Sequence, residues 1–88
     1  MTIKNELTAV RETNFQSANL QRADLSGVSL QNANFKDSDL RAVNLRGANL
    51  DGTKFEGAIL TNAIIDKNNV SGLPIRILEK YEGTFLIV

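Results

Sequence analysis

Residues 18 to 27 read Ala18-Asn19-Leu20-Gln21-Arg22, Ala23-Asp24-Leu25-Ser26-Gly27, and the same cadence continues to Ala48-Asn49-Leu50-Asp51-Gly52. A large apolar residue returns at every fifth position. Followed outward in both directions, the rhythm runs through Val10, Phe15, Leu20, Leu25, Leu30, Phe35, Leu40, Leu45, Leu50, Phe55, Leu60, Ile65 and Val70. Two residues before each stands something small or slim, most often alanine, as at Ala18, Ala23, Ala33, Ala48, Ala58 and Ala63. A period of five makes no face on an α-helix, which turns every 3.6 residues, and it is not the period of two of a plain strand. Within one pentad, though, the small and large residues lie two apart, which puts both side chains on one side of extended backbone. The next pentad restarts that phase after one additional residue, so the chain must turn between pentads. Repeated turning in one sense stacks coils into a β-solenoid.

These pentads resemble the pentapeptide repeat family, and the resemblance covers about three quarters of the chain. It implies an all-β solenoid, a right-handed quadrilateral β-helix with four pentads per coil and one pentad per face. Twenty residues then bring the chain back to the same face one coil higher, giving about three coils here. The spacing of particular residues agrees with that implication. Phe15, Phe35 and Phe55 are the phenylalanines inside the repeat, each twenty from the next, and they are expected to stack as one inward column. Leu20, Leu40 and Leu60 make a second column, Leu25, Leu45 and Ile65 a third, and Val10, Leu30, Leu50 and Val70 a fourth. In so narrow a coil the rings are core, with no free space for a ligand.

The chain divides into residues 1–7, an N-terminal cap; 8–72, the repeat; and 73–88, a C-terminal cap and self-association segment, where the period is lost. Ile3, Leu7 and Val10 suit a short N-terminal cap. Pro74 suits the first turn of a helix, Ile75, Leu78 and Tyr81 follow at helical spacing, and Gly83 is placed to end it. Phe85 to Val88 reads as a terminal strand.

The outward positions are mostly polar. Asn14, Asn19, Asp24, Asn34, Asp39, Asn44 and Asn49 each precede a large residue, and both types bond readily to nearby backbone. Gly27, Gly47, Gly52, Gly57 and Gly72 close pentads where a corner must form. Stacking coils twenty apart sets Lys36 over Glu56 and Arg46 over Asp66, opposite charges that favour that register. The exceptions to the polar rule are Ile59 and Ile64, on adjacent faces of the last coil. Either the apolar tail folds back over them, or they belong to an exposed partner surface. Expected interface residues are therefore Ile59, Ile64, Leu73, Ile75, Tyr81, Phe85, Leu86 and Ile87.

The composition removes most chemistry. With no histidine and no cysteine, the commonest general base, disulfides and thiolate metal sites are absent. Carboxylates spread over convex walls have no cleft to perturb them, and no glycine-rich loop enters a helix to cradle phosphate. No enzyme activity, catalytic residue, cofactor or metal is expected. Ten basic and ten acidic residues cancel, which gives no global attraction to nucleic acid or to an anionic membrane. The sequence holds no long apolar stretch, and residues 1–10 are too polar for the apolar region of a secretory leader, so the expected compartment is the cytoplasm, a presequence removed beforehand being the open alternative. The leading functional expectation is a structural or protein-interaction module, homodimeric through its C-terminal end. A second reading is DNA mimicry: some members of the family that this chain resembles inhibit DNA gyrase, but this chain is neutral and short for that role. A third is an attachment piece of a larger assembly.

Overall fold

The computed structural model describes residues 12–67, 69 and 86–88. Of the expected caps, 1–7 and 73–88, residues 1–7 and 73–85, the helix from Pro74 included, lie outside the described residues.

Parallel bridges join residues twenty apart: Asn14 to Asn34 to Lys54, Asn19 to Asp39 to Ile59, Asp24 to Asn44 to Ile64, and Ser29 to Asn49. The chain thus passes over itself once every twenty residues, and four ladders run up the described part. The third ladder gains a further rung where β1, Ile64–Ile65, pairs in parallel with β2, Leu86–Ile87, in the register Ile64 to Leu86 and Ile65 to Ile87.

The backbone bonds of one pentad explain its sequence. In the pentad from Asn34 to Ser38, the Asn34 N–H donates down to Thr13 O at 2.9 Å, and the Phe35 and Asp37 N–H groups donate up to Lys54 O and Glu56 O at 2.8 and 2.9 Å. The Ser38 N–H closes the turn onto Phe35 O at 3.0 Å. That leaves the Lys36 N–H without a backbone acceptor, and the Asn34 side-chain oxygen takes it at 2.9 Å. An unpaired backbone donor is costly, so this slot favours a short side chain with an acceptor oxygen. All seven Asn and Asp residues expected to bond locally do so, accepting from the N–H two residues on at 2.9 to 3.2 Å.

Each corner has one residue in the left-handed region, at every fifth position from Glu12 to Asn62. It is the third residue of a turn closed by a bond from the fourth N–H to the first carbonyl, the geometry of a type II turn. The sequence reading linked these corners to glycine, yet Glu12, Ser17, Arg22, Asn32, Asp37, Ala42 and Asn62 hold φ of 58 to 63° in the same slot. The corner demands a dihedral angle, not a missing side chain, and three inter-coil bonds per pentad enforce it. Glycine answers a second need at Gly52, where a β-carbon would run into the Asn32 amide oxygen one coil below. Ala42 lacks even the local bonding that eases Asn and Asp into this conformation. Ala42→Gly is therefore expected to raise stability by up to about 1 kcal/mol, the relieved strain exceeding the added chain entropy. Equilibrium urea unfolding checks the sign, with the buried Ala48→Gly as a control that should lose stability.

Inside the coil lie the two apolar slots. The large residues from Leu20 to Ile65 are at most 3% exposed, and the slim slots Ala23, Val28, Ala33, Val43, Ala48, Ala58 and Ala63 at most 1%. Ser38 and Thr53 occupy slim slots as polar residues. Their hydroxyls donate to Phe35 O and Leu50 O, each at 2.7 Å, so neither is buried unsatisfied. The phenylalanine column forms as expected. Phe15 and Phe35 stack with centroids 5.0 Å apart and planes 4° from parallel, Phe35 and Phe55 at 5.6 Å and 8°.

One expected register device is absent. Lys36 and Glu56 are both exposed and make no ion pair with each other. Corner side chains point into water, where such a pair gains only about 0–1 kcal/mol against the entropy of holding two long chains together. Asp66, the other expected acidic partner, turns its carboxylate to the Gly47 N–H.

Candidate interaction surface

The outward slots of the lower rungs carry Asn, Asp, Ser or Lys; those of the top rungs carry Ile59, Ile64 and Leu86. Ile59 stands 44% exposed on the second ladder, and Ile64 is half-buried on the third, beneath Leu86. Leu86, Ile87 and Val88 are each about half exposed, at 51, 52 and 50%. Apolar surface thus gathers at one end of the coil, on two adjacent ladders and on β2. Ile59, Ile64, Leu86 and Ile87 are brought together at that end. Leu73, Ile75, Tyr81 and Phe85 lie outside the described residues. Val88, read from sequence as the end of the terminal strand, was not among the expected interface residues, although it shares the exposure of its neighbours.

Ile59 and Ile64 also break the local bonding rule. Neither has an acceptor for the N–H two residues on. At Ile64 the gap is filled from elsewhere: the Asp66 N–H donates to Asn69 Oδ1 at 3.0 Å. At Ile59 nothing replaces it, and the exposed Thr61 N–H has no protein acceptor among the described residues.

Asn69 stands where the regular ladder would continue above Asn49, but its side chain turns inward and is only 9% exposed. Its Nδ2 donates to Leu45 O at 2.6 Å and to Ala48 O at 3.1 Å, and its N–H donates to Asp66 Oδ1 at 3.0 Å. One rung lower, it is the Asn49 backbone N–H that reaches Val28 O. Side chains of Asp66 and Asn69 therefore make bonds that backbone groups make one rung lower. Sequence reasoning missed this role because Asn69 occupies the ordinary outward slot of the pentad.

On the second ladder Asp39 is gripped from two sides. Arg41 donates from Nε to Oδ1 at 2.9 Å and from Nη2 to Oδ2 at 2.7 Å, and Gln21 Nε2 donates to Oδ2 at 2.6 Å. The Arg41 side chain, before its backbone N–H and Gln21, lowers the Asp39 pKa from 3.8 to about 2. The folded state thus holds this carboxylate ionised where the unfolded chain protonates it. Its stabilising contribution is complete above pH 3.8 and declines as pH falls toward 2. Carboxyl titration by NMR should find Asp39 depressed, and Arg41→Gln should return it toward the ordinary aspartate value.

Among the described residues no group of three His, Cys, Asp or Glu side chains is placed to hold a metal ion, and no helix is long and apolar enough to cross a membrane.

Similar proteins share this architecture. The family model "Pentapeptide repeats (8 copies)" matches residues 11–47 and 38–72. No curated protein matches the chain significantly. Among solved structures, the pentapeptide repeat protein Rfr23 of the cyanobacterium Cyanothece 51142 is 38% identical with a TM-score of 0.57; the match covers 68% of this chain and 44% of that one. The pentapeptide repeat protein alr5209 of Nostoc Pcc 7120 is 23% identical with a TM-score of 0.52, covering 93% of this chain and 79% of its own, a likeness of fold alone. The chain spans less than half the length of Rfr23. A repeat matched from residue 11 to 72, with rungs twenty residues apart, leaves one conclusion: the chain belongs to the pentapeptide repeat family.

Proposed function

We propose that this chain is a right-handed quadrilateral β-helix of about three coils, closed by short caps, and that it serves as a non-enzymatic interaction module. Its binding surface is the apolar C-terminal end, and its first partner is a second copy of itself. The observation that carries this reading is Ile59. An outward isoleucine here exposes 44% of its surface and leaves the Thr61 N–H without the acceptor that asparagine supplies in the same slot at Asn19. Local stability favours asparagine at that position, so the isoleucine needs a reason outside the monomer, and a contact that buries it is one.

The reading separates stability from association. Ile59→Asn should hold the stability of the monomer or raise it by about 0.5–1.5 kcal/mol through the regained hydrogen bond. The same change should weaken self-association at least tenfold. Light scattering over a concentration series, beside urea unfolding of both proteins, is the test. An intact chain that stays monomeric at every concentration overturns the proposal, and so does a variant that associates as tightly as the parent.

A further inference from the structure

Strand β2 is held lightly on a platform that does not need it. Ile64 and Ile65 are fixed from below: the Ile64 N–H donates to Val43 O and the Leu45 N–H to Ile64 O, both at 2.8 Å. The turn leaving β1 is tied by Asp66 and Asn69 to Leu45, Gly47 and Ala48. None of these bonds involves β2, so the upper edge of β1 remains built when β2 leaves. What holds β2 is slight. Leu86 N–H donates to Ala63 O at 2.7 Å, Val88 N–H to Ile65 O at 2.8 Å, and Lys67 N–H to Val88 O at 3.3 Å. Its two side chains and that of Val88 remain about half exposed, and a pair of two-residue strands is marginal by itself. Its register is also offset: Ile64 pairs with a residue twenty-two further on, two more than every bridge below it.

We infer that β2 is an exchangeable strand, and that the occupant which replaces it on the β1 edge is β2 of a second copy of this chain. This rests on the self-association proposed above and gives it a geometry. The edge already pairs with one strand, the parallel Leu86–Ile87, in the register Ile64 to Leu86. The same strand from another copy makes the same bonds, so the local energies of the closed and exchanged forms match and concentration decides between them. Residues 70 to 85, fully extended, would span at most about 55 Å, ample length to reach a neighbour. Mutual exchange places each β2 on the partner's β1 and buries part of the apolar end twice over.

The chain has no cysteine, so engineered thiols report cleanly. Paired strands lie about 4.8 Å apart, within disulfide reach. One preparation carries Ile64→Cys and another Leu86→Cys; they are mixed at high concentration and oxidised. Exchange predicts that the mixed Ile64–Leu86 disulfide dimer predominates and that its yield rises with concentration. The double variant at low concentration should instead close within one chain. A dominant Leu86–Leu86 dimer would mean that tails lie side by side: self-association survives and exchange is overturned. A dimer of the unmodified chain by light scattering, with no mixed disulfide in the variants, overturns exchange in the same way. A monomer in scattering with no cross-link at any concentration overturns both proposals.

Discussion

Phe35→Ala is expected to cost about 3–5 kcal/mol, close to the whole stability of a domain this small. Phe35 is fully buried and sandwiched, with Phe15 on one side at 5.0 Å and Phe55 on the other at 5.6 Å. Alanine deletes both stacking contacts and leaves a cavity the size of a ring. The surroundings have little freedom to close it. The Phe35 N–H is tied to Lys54 O above and the Phe15 N–H to Asn34 O below, and each rung repeats that restraint, so the coil cannot tighten locally without breaking its ladder. The loss should therefore fall in the upper part of the range. Phe15→Ala is the comparison: Phe15 is only partly buried and stacks on one side, so its loss should be roughly half as large. A urea midpoint left unchanged by Phe35→Ala would contradict the buried column.

The second large effect is expected at Asn69. Asn69→Ala removes the donor to Leu45 O and Ala48 O and the acceptor of the Asp66 N–H. Leu45 O keeps the Ala48 N–H, but Ala48 O loses its partner where Asn69 is nearly closed to water, and the Asp66 N–H loses its Asn69 acceptor. Stranding the buried Ala48 carbonyl costs about 1–3 kcal/mol, and the lost bonds to Leu45 O and from the Asp66 N–H bring the total near 2–4 kcal/mol. Asn69→Asp separates hydrogen bonding from shape. It keeps the volume and the acceptor but aims a carboxylate at two carbonyl oxygens. At neutral pH it should be at least as harmful as alanine, with partial recovery in acid as the carboxyl protonates and becomes a donor. Melting temperatures of the three proteins at two pH values decide the matter. Equal melting of Asn69→Ala and the parent would show that these side-chain bonds do not hold the upper rung.

Much of the coil was legible because its constraints are local and repeated. The inward columns follow from a five-residue period in which small and large residues lie two apart, and the twenty-residue return that the family resemblance implies puts Phe15, Phe35 and Phe55 into one stack. The Asn and Asp slot was legible for a chemical reason, since one N–H per pentad has no backbone acceptor and those side chains supply one. The left-handed corners were less so. Arg22 and Ala42 betray nothing of their φ, because three inter-coil bonds impose a conformation that their own preferences do not favour. Cross-coil charge pairing misled at Lys36 and Glu56: solvated corner side chains gain too little from meeting, whereas Arg41 finds Asp39 two residues before it. Asn69 was illegible altogether, because it occupies the ordinary outward slot of its pentad and nothing in the five-residue period marks its inward turn. The apolar end was legible as composition, in Ile59, Ile64 and Leu86, while the two-residue offset of β2 was not.

The even spacing of the rungs sets a quantum of length for this molecule. A duplicated block of twenty residues, inserted between two corners, adds one rung of about 4.8 Å and returns every column to its own kind: phenylalanine over phenylalanine, asparagine over asparagine. A block of five keeps every inward slot inward yet rotates everything beyond it by one ladder. The rings then land on leucines, and the apolar end swings to face a new direction. Growth by whole turns preserves the address of each side chain; growth by single pentads rewrites it.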